Sequence, residues 1–212
     1  VTHQKRLYGL LPEYGYTPNP LEDPAVEIVS TLFQSDKDQI TVDNKLYNVA
    51  SLAADTNYLK IVPIPILKTS RNKLLENPQD AIISEDLSRL VFGKEDPIGQ
   101  QITTSMGKIV TVVAVMGKPD TRFSMPFDLL ISNESANYRK YSMPHSLVKL
   151  HKGHSAASVN KEYEVFRKMS NFTNRLRICF YPLQKLYFDQ QVVTYLDKRL
   201  VGNYTHVLIL IA

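Results

Sequence analysis

The chain of 212 residues has no tryptophan and a single cysteine, Cys179. One cysteine cannot form an intramolecular disulfide, so no disulfide framework holds this fold. Such scarcity fits a reducing compartment, and equally an exported protein that avoids stray thiols. Cys179 lies in the apolar, strand-like run "RLRICFYP", which suits a small buried hydrophobe better than a nucleophile. Glycine is also sparse, with 8 residues, and no glycine-rich phosphate loop is present. The nearest candidate is "GKEDPIG" at 93–99. A phosphate loop needs G-x-x-x-x-G-K-[ST], with the lysine after the second glycine. Here Lys94 follows the first glycine, Gln100 follows the second, and Glu95 and Asp96 stand where an anion would approach.

Long apolar runs are missing as well. A membrane-crossing helix needs about 20 apolar residues, and the apolar stretch Val207–Ala212 in "THVLILIA" is far shorter. It reads either as a core strand or as the first turns of a longer apolar helix. The sequence begins at Val1 without an initiator methionine or a signal peptide, which predicts a fragment of a longer protein. There is no G-x-S-x-G elbow and no Cys–His motif. Of the 5 histidines only His151 and His154 are close together, and two ligands do not make a metal site. The Asn-x-Ser/Thr matches at Asn133, Asn171 and Asn203 are weak patterns that matter only in a glycosylating pathway.

The remaining composition is that of a folded protein: 43% hydrophobic and 22% charged residues. Net charge is +4. The densest basic clusters, "HQKR" at 3–6 and "RLR" at 175–177, form no stripe or patch, so nothing predicts nucleic-acid binding.

Along the chain, strand patterns predominate. "RLYGLL" (6–11) reads as a first strand and 12–24 as an irregular, proline-rich connection. "VEIVSTLF" (26–33) reads as a strand, and "ITVDNKLYNVASL" (40–52) as a hairpin about Asp43-Asn44. Asp55 can cap a short helix that Pro63 and Pro65 stop, and 70–78 suggests one or two helical turns. "AII" (81–83) predicts a buried strand. Ser84 is then an N-cap, with Glu85 and Asp86 in the first turn, where the helix dipole favours carboxylates. Leu87, Leu90 and Val91 form the apolar face, and Gly93 is the stop. A strand pair over 100–116, strands in 125–132, 146–153 and 174–183, and a helix over 155–172 with Val159, Tyr163 and Phe166 on one side complete an α+β pattern.

The order of these segments resembles the extracytoplasmic core domain of MacB-like/FtsX-like ABC transporter permeases. The matching positions are Asp55 and Tyr58, then Ser84, Glu85, Leu87, Phe92, Gly93, Asp96, Pro97, Ile98 and Gly99. Val110, Val112, Val113 and Val115 follow, and then Phe127 and Asp128. The likeness runs from about Ile40 to Asp189, and the FG-x-[ed]-dPiG segment is its most specific part. Two departures stand out: Ser88 replaces a usual small residue, and Ala114 replaces the glycine of the family's V-v-G-V strand.

The resemblance implies two lobes: a βαβ-type Porter-like lobe from 1–89 and 145–206, and an inserted, β-rich Sabre-like lobe at 90–144. It implies that 207–212 starts a transmembrane helix, and that Ser84, Phe92, Gly93, Asp96, Pro97 and Gly99 are structural motif residues at a hinge-like turn. It further implies a non-enzymatic domain without cofactors, on the periplasmic face of a cell membrane. Its partners would be a cytoplasmic ATP-binding subunit or domain, a second permease copy or paralogue, and a periplasmic partner or substrate. The loop 133–146 is a candidate for partner specificity. The rival readings are a secreted ligand-binding or adhesin-like module, whose final apolar run would be a core strand, and an enzyme of unrecognised type.

Overall fold

A computed structural model of the chain describes residues 8–11, 15–18, 23–118, 127–135, 145–161, 179–182 and 207–211. The chain divides into two compact units, Val1–Ser30 with His145–Ala212, and Thr31–Pro144. Both are rich in sheet, with helices interspersed, so the fold is mixed α/β.

In the first unit, β1 (Tyr8–Leu11) and β2 (Gly15–Pro18) pair antiparallel, with Tyr8 opposite Pro18 and Leu11 opposite Gly15. The connection expected over 12–24 therefore contains a strand. Beyond it, β10 (His145–Leu150), β11 (Cys179–Pro182) and β12 (Val207–Ile211) lie in the order β11-β12-β10, with β12 parallel to both neighbours. Within the segment 207–212, where the start of a transmembrane helix is expected, Val207–Ile211 form a strand. Such a strand has both hydrogen-bonding edges occupied, and strands of parallel sheets commonly read as unbroken apolar runs. Among the described residues no helix is long and apolar enough to cross a membrane.

Helical turns at 156–161 open on a reciprocal cap. Ser158 N donates to Ser155 Oγ at 3.2 Å, and Ser155 N donates to Ser158 Oγ at 3.1 Å. Ala156 and Val159 bury with Ala25, Val148 and Leu150. Tyr163 and Phe166, expected on the same helix face, lie outside the described residues.

The strand β3 (Val26–Val42) runs from the first unit into the second. It joins β4 (Lys45–Ala54) through Asp43 and Asn44, both left-handed at φ 47° and 61°, as a two-residue hairpin turn of type I′ requires. The sequence suggests two separate strands at 26–33 and 40–42. Of the polar residues between them, Gln34, Ser35, Asp38 and Gln39 stay in the ladder, with one register shift between Ser35 and Asp38.

The second unit continues with α1 (Tyr58–Ile61), β5 (Ile66–Thr69), β6 (Asp80–Ser84), α2 (Glu85–Phe92), β7 (Gln101–Thr104), β8 (Ile109–Met116) and β9 (Leu129–Ser132). Its strand order is β3-β4-β9-β6-β8-β5, with β7 beside both β3 and β8. The pairs β4–β9 and β6–β8 are parallel. The four residues of β9 and the first four of β6 are buried, as expected of central strands.

The strands of 90–144 interleave with β3, β4 and β6 in one ladder system, and the compact central unit spans Thr31–Pro144. The segment 70–78 does not form helical turns. Leu75 is buried in a left-handed conformation at φ 61°, and Asp80 gathers the segment. The Arg71 guanidinium lies 2.6 Å from Asp80 Oδ1, and Asn77 N donates to Asp80 Oδ2 at 3.3 Å.

Candidate functional site

The motif residues lie at the two ends of α2, with Ser84 where β6 passes into the helix and Phe92, Gly93, Asp96, Pro97 and Gly99 where it ends. Ser84 ends the strand in extended conformation, and its Oγ accepts from Leu87 N at 3.0 Å, satisfying one free amide of the helix start. The same hydroxyl donates to Asp128 Oδ1 at 3.3 Å, and Ser84 N donates to Asp128 O at 2.7 Å. Asp128 also reaches β4: Ala50 N donates to its Oδ2 at 3.3 Å, and its own N–H donates to Ala50 O at 2.8 Å. One aspartate therefore fastens a helix cap to two strands. Both of its carboxylate oxygens accept hydrogen bonds from neighbouring elements, which is the pattern of a structural carboxylate.

Asp55 and Tyr58 have a similar role. Asp55 Oδ2 accepts from Thr31 N at 2.9 Å and Oδ1 from Asn57 N at 3.0 Å. It holds the turn before α1 to β3, and it is Asn57 that occupies the N-cap position, without a side-chain cap bond. Tyr58 is fully buried edge-on to Phe127, with ring centroids 6.2 Å apart. Its hydroxyl has no hydrogen-bond partner, and burial pushes the phenol well above its ordinary value.

At the other end of α2, Gly93 takes φ 63° and its N–H donates to Arg89 O at 3.0 Å. The turn that follows is tied on several sides. Asp96 Oδ1 accepts from Ile98 N at 3.0 Å, and Asp96 Oδ2 meets Lys68 Nζ on β5 at 2.7 Å. The hydrogen bond from Lys68, helped by the Ile98 amide, holds the Asp96 carboxyl below its usual range. Pro97 is buried and Ile98 packs on the core. Gly99, at φ 87°, donates from its N–H to Val112 O at 2.8 Å. The amides of 98 and 99 are therefore engaged within the protein, and the glycines bend the chain without cradling an anion. Phe92 is half-buried against the same core. Within α2, Leu87 is buried but Leu90 is 65% exposed, so the apolar face is narrower than the spacing suggests.

No catalytic grouping emerges from these contacts. Among the described residues no group of three or more His, Cys, Asp or Glu could hold a metal ion. His151 and His154 are exposed and linked through their backbones, His154 N to His151 O at 3.1 Å. In the loop 133–146, residues 136–144 lie outside the described set; its start is a 3-10 turn, Asn133–Ser135, in which Asn133 Nδ2 donates to Thr31 O at 2.9 Å.

One buried group escapes the sequence reading. Asp38, 3% exposed, accepts from Ser51 Oγ at 2.7 Å, from Gln39 N at 2.8 Å, and from Ser105 Oγ. The signal is its phase, since Asp38, Ile40 and Val42 alternate onto one buried face of β3.

The family described as "MacB-like periplasmic core domain" matches residues 10–164. No curated protein matches in sequence. Solved structures show the same fold. A domain of a putative permease protein from Porphyromonas gingivalis is 21% identical, with TM-score 0.55 over 71% of this chain and 73% of that one. The periplasmic region of MacB from Actinobacillus actinomycetemcomitans is 13% identical, with TM-score 0.55 over 69% of each chain. The extracellular domain of the noncanonic ABC-type transporter YknZ from Gram-positive bacteria is 15% identical, with TM-score 0.53 over 70% of this chain and 78% of that one.

Proposed function

Because the chain belongs to the family of MacB-like periplasmic core domains, we propose that it is the non-enzymatic, extracytoplasmic domain of an ABC transporter permease. In this reading a cytoplasmic ATP-binding subunit or domain hydrolyses ATP. The motion passes through membrane helices outside this sequence, and this domain turns it into periplasmic work such as substrate export, lipoprotein release or activation of a partner. A second permease copy or a paralogue completes the transporter. The unit built from both chain ends takes the part of the Porter-like lobe, and the central unit carries the Sabre-like β-rich part.

The observation that carries this proposal is the family match over residues 10–164. The chemistry agrees with a mechanical role. The motif residues Ser84, Asp96, Pro97, Gly99 and Asp128 are spent on caps, turns and strand ties rather than aimed at a common point. The strand at Val207–Ile211 is what the rival reading, a secreted binding module, expects of that run. The apolar run therefore lends the membrane reading no support.

The test uses the full-length native protein with a tag in this domain. The expected result is retention in the membrane after a carbonate wash, cleavage only by protease supplied on the extracytoplasmic face, and co-purification of an ATP-binding protein or domain. Release by the wash, or recovery from the medium, would replace the permease reading with the secreted module.

A further inference from the structure

We propose that β7, with the turn 105–108 that joins it to β8, is a strap laid over the Ile40–Thr41 edge of β3 and latched there by Asp38, so that losing the latch opens the β3–β7 seam without unfolding the rest of the central unit.

The strap is held unequally on its two sides. Within the hairpin, Gln101, Ile102 and Thr103 stand opposite Thr111, Val110 and Ile109. Toward β3 the register is shorter, with only Ile40 opposite Thr104 and Thr41 opposite Thr103. The other edge of β3 is occupied by β4. A strand four residues long therefore covers the Ile40–Thr41 stretch of this edge of β3, one of the devices by which sheets shield unpaired backbone groups. Beneath the seam Ile40 and Ile102 have no exposed surface, and the buried Thr104 hydroxyl has no hydrogen-bond partner. That orphan hydroxyl is a local weakness in an otherwise apolar contact.

Asp38 stands at the end of the seam. It lies where the β3–β4 register jumps from Ser35 opposite Ser51 to Asp38 opposite Val49. A bulge of this kind interrupts the ladder and re-aims a side chain. The re-aimed carboxylate gathers donors from three places: the Gln39 amide beside it, Ser51 on β4, and Ser105 in the turn of the strap. A buried carboxylate is costly unless such donors converge on it, and a buried apolar residue here would fill the core without tying the turn. A second tie from the same turn, Lys108 Nζ to Glu134 O at 3.1 Å, is exposed and correspondingly weak.

Amide hydrogen exchange on this chain tests the latch. Ser105→Ala removes the strap's hydroxyl and leaves the carboxylate its other donors. The expected result is exchange about tenfold faster in segments 39–42 and 101–105, the effect of one lost hydrogen bond on a local opening. Exchange at Ile82, Ile83 and Leu130 in the central strands should stay unchanged. Asp38→Asn should enlarge the effect in the same segments. If Asp38→Asn does not fold, Ser105→Ala decides alone. An unchanged seam in Ser105→Ala, or a rise shared equally by the central strands, would overturn the proposal.

Discussion

Tyr58 shows how a family motif position can be held for shape rather than for its polar atom. Its ring packs on Phe127, and its hydroxyl is buried without a partner. A buried, unsatisfied hydroxyl costs free energy that its removal returns. Tyr58→Phe should therefore stabilise the domain by about 1 kcal/mol in urea unfolding, and a clear loss of stability would show that the hydroxyl serves the fold. Burial raises the phenol above its unfolded value. Wild-type stability should thus fall as pH climbs past about 10, and Tyr58→Phe should lose less. Asp96 has the opposite sign. Its carboxyl is lowered in the fold, first by the hydrogen bond from Lys68. Its contribution is present above the unfolded value and is lost as pH falls through the folded one. Asp96→Asn keeps an oxygen for the Ile98 amide and removes the charge. Its stability deficit against wild type should be visible at neutral pH and vanish in acid. A deficit that persists unchanged in acid would assign the effect to geometry instead.

Single elements separate what patterning predicts from what packing decides. Leu87 and Leu90 carry the same apolar signal on α2, yet one is 4% exposed and the other 65%. Leu87→Ala should cost about 2–4 kcal/mol, whereas Leu90→Ala should cost under about 0.5 kcal/mol; similar costs in thermal or urea unfolding would contradict this placement. The cap at Ser84 and the Asp43-Asn44 turn were legible because each is written in local chemistry. The length of β3 was not, because its middle is polar and only the pairing with β4 keeps it extended. The segment 70–78 looked helical by propensity, but Asp80 holds it through Arg71 and the Asn77 amide, and no local pattern announces those partners. The Asp128 tie to Ala50 and Ser84 depends on strands far apart in sequence, so resemblance could flag the residue without showing what it touches.

For the molecule as a whole, the division at 30/31 and 144/145 has a consequence for folding. The central unit owns a core that draws on β3, β4, β6, α2, β7, β8 and β9 at once, including Ile40, Ala81, Ile83, Leu87, Ile102 and Leu129. If 90–144 were an independent insert, cutting it away would leave β4 and β6 without β9, and β6 without β8, exposing the most buried strands. Residues 31–144 should therefore fold when produced alone, with a single cooperative urea transition and slow exchange at Ile82, Ile83 and Leu130. Residues 90–144 produced alone should show neither. Cooperative folding of 90–144 would favour a lobe boundary at 89/90. Failure of 31–144 to fold would mean that β3 needs its first five residues, Val26–Ser30, and with them the neighbours they find in the unit made from the chain ends.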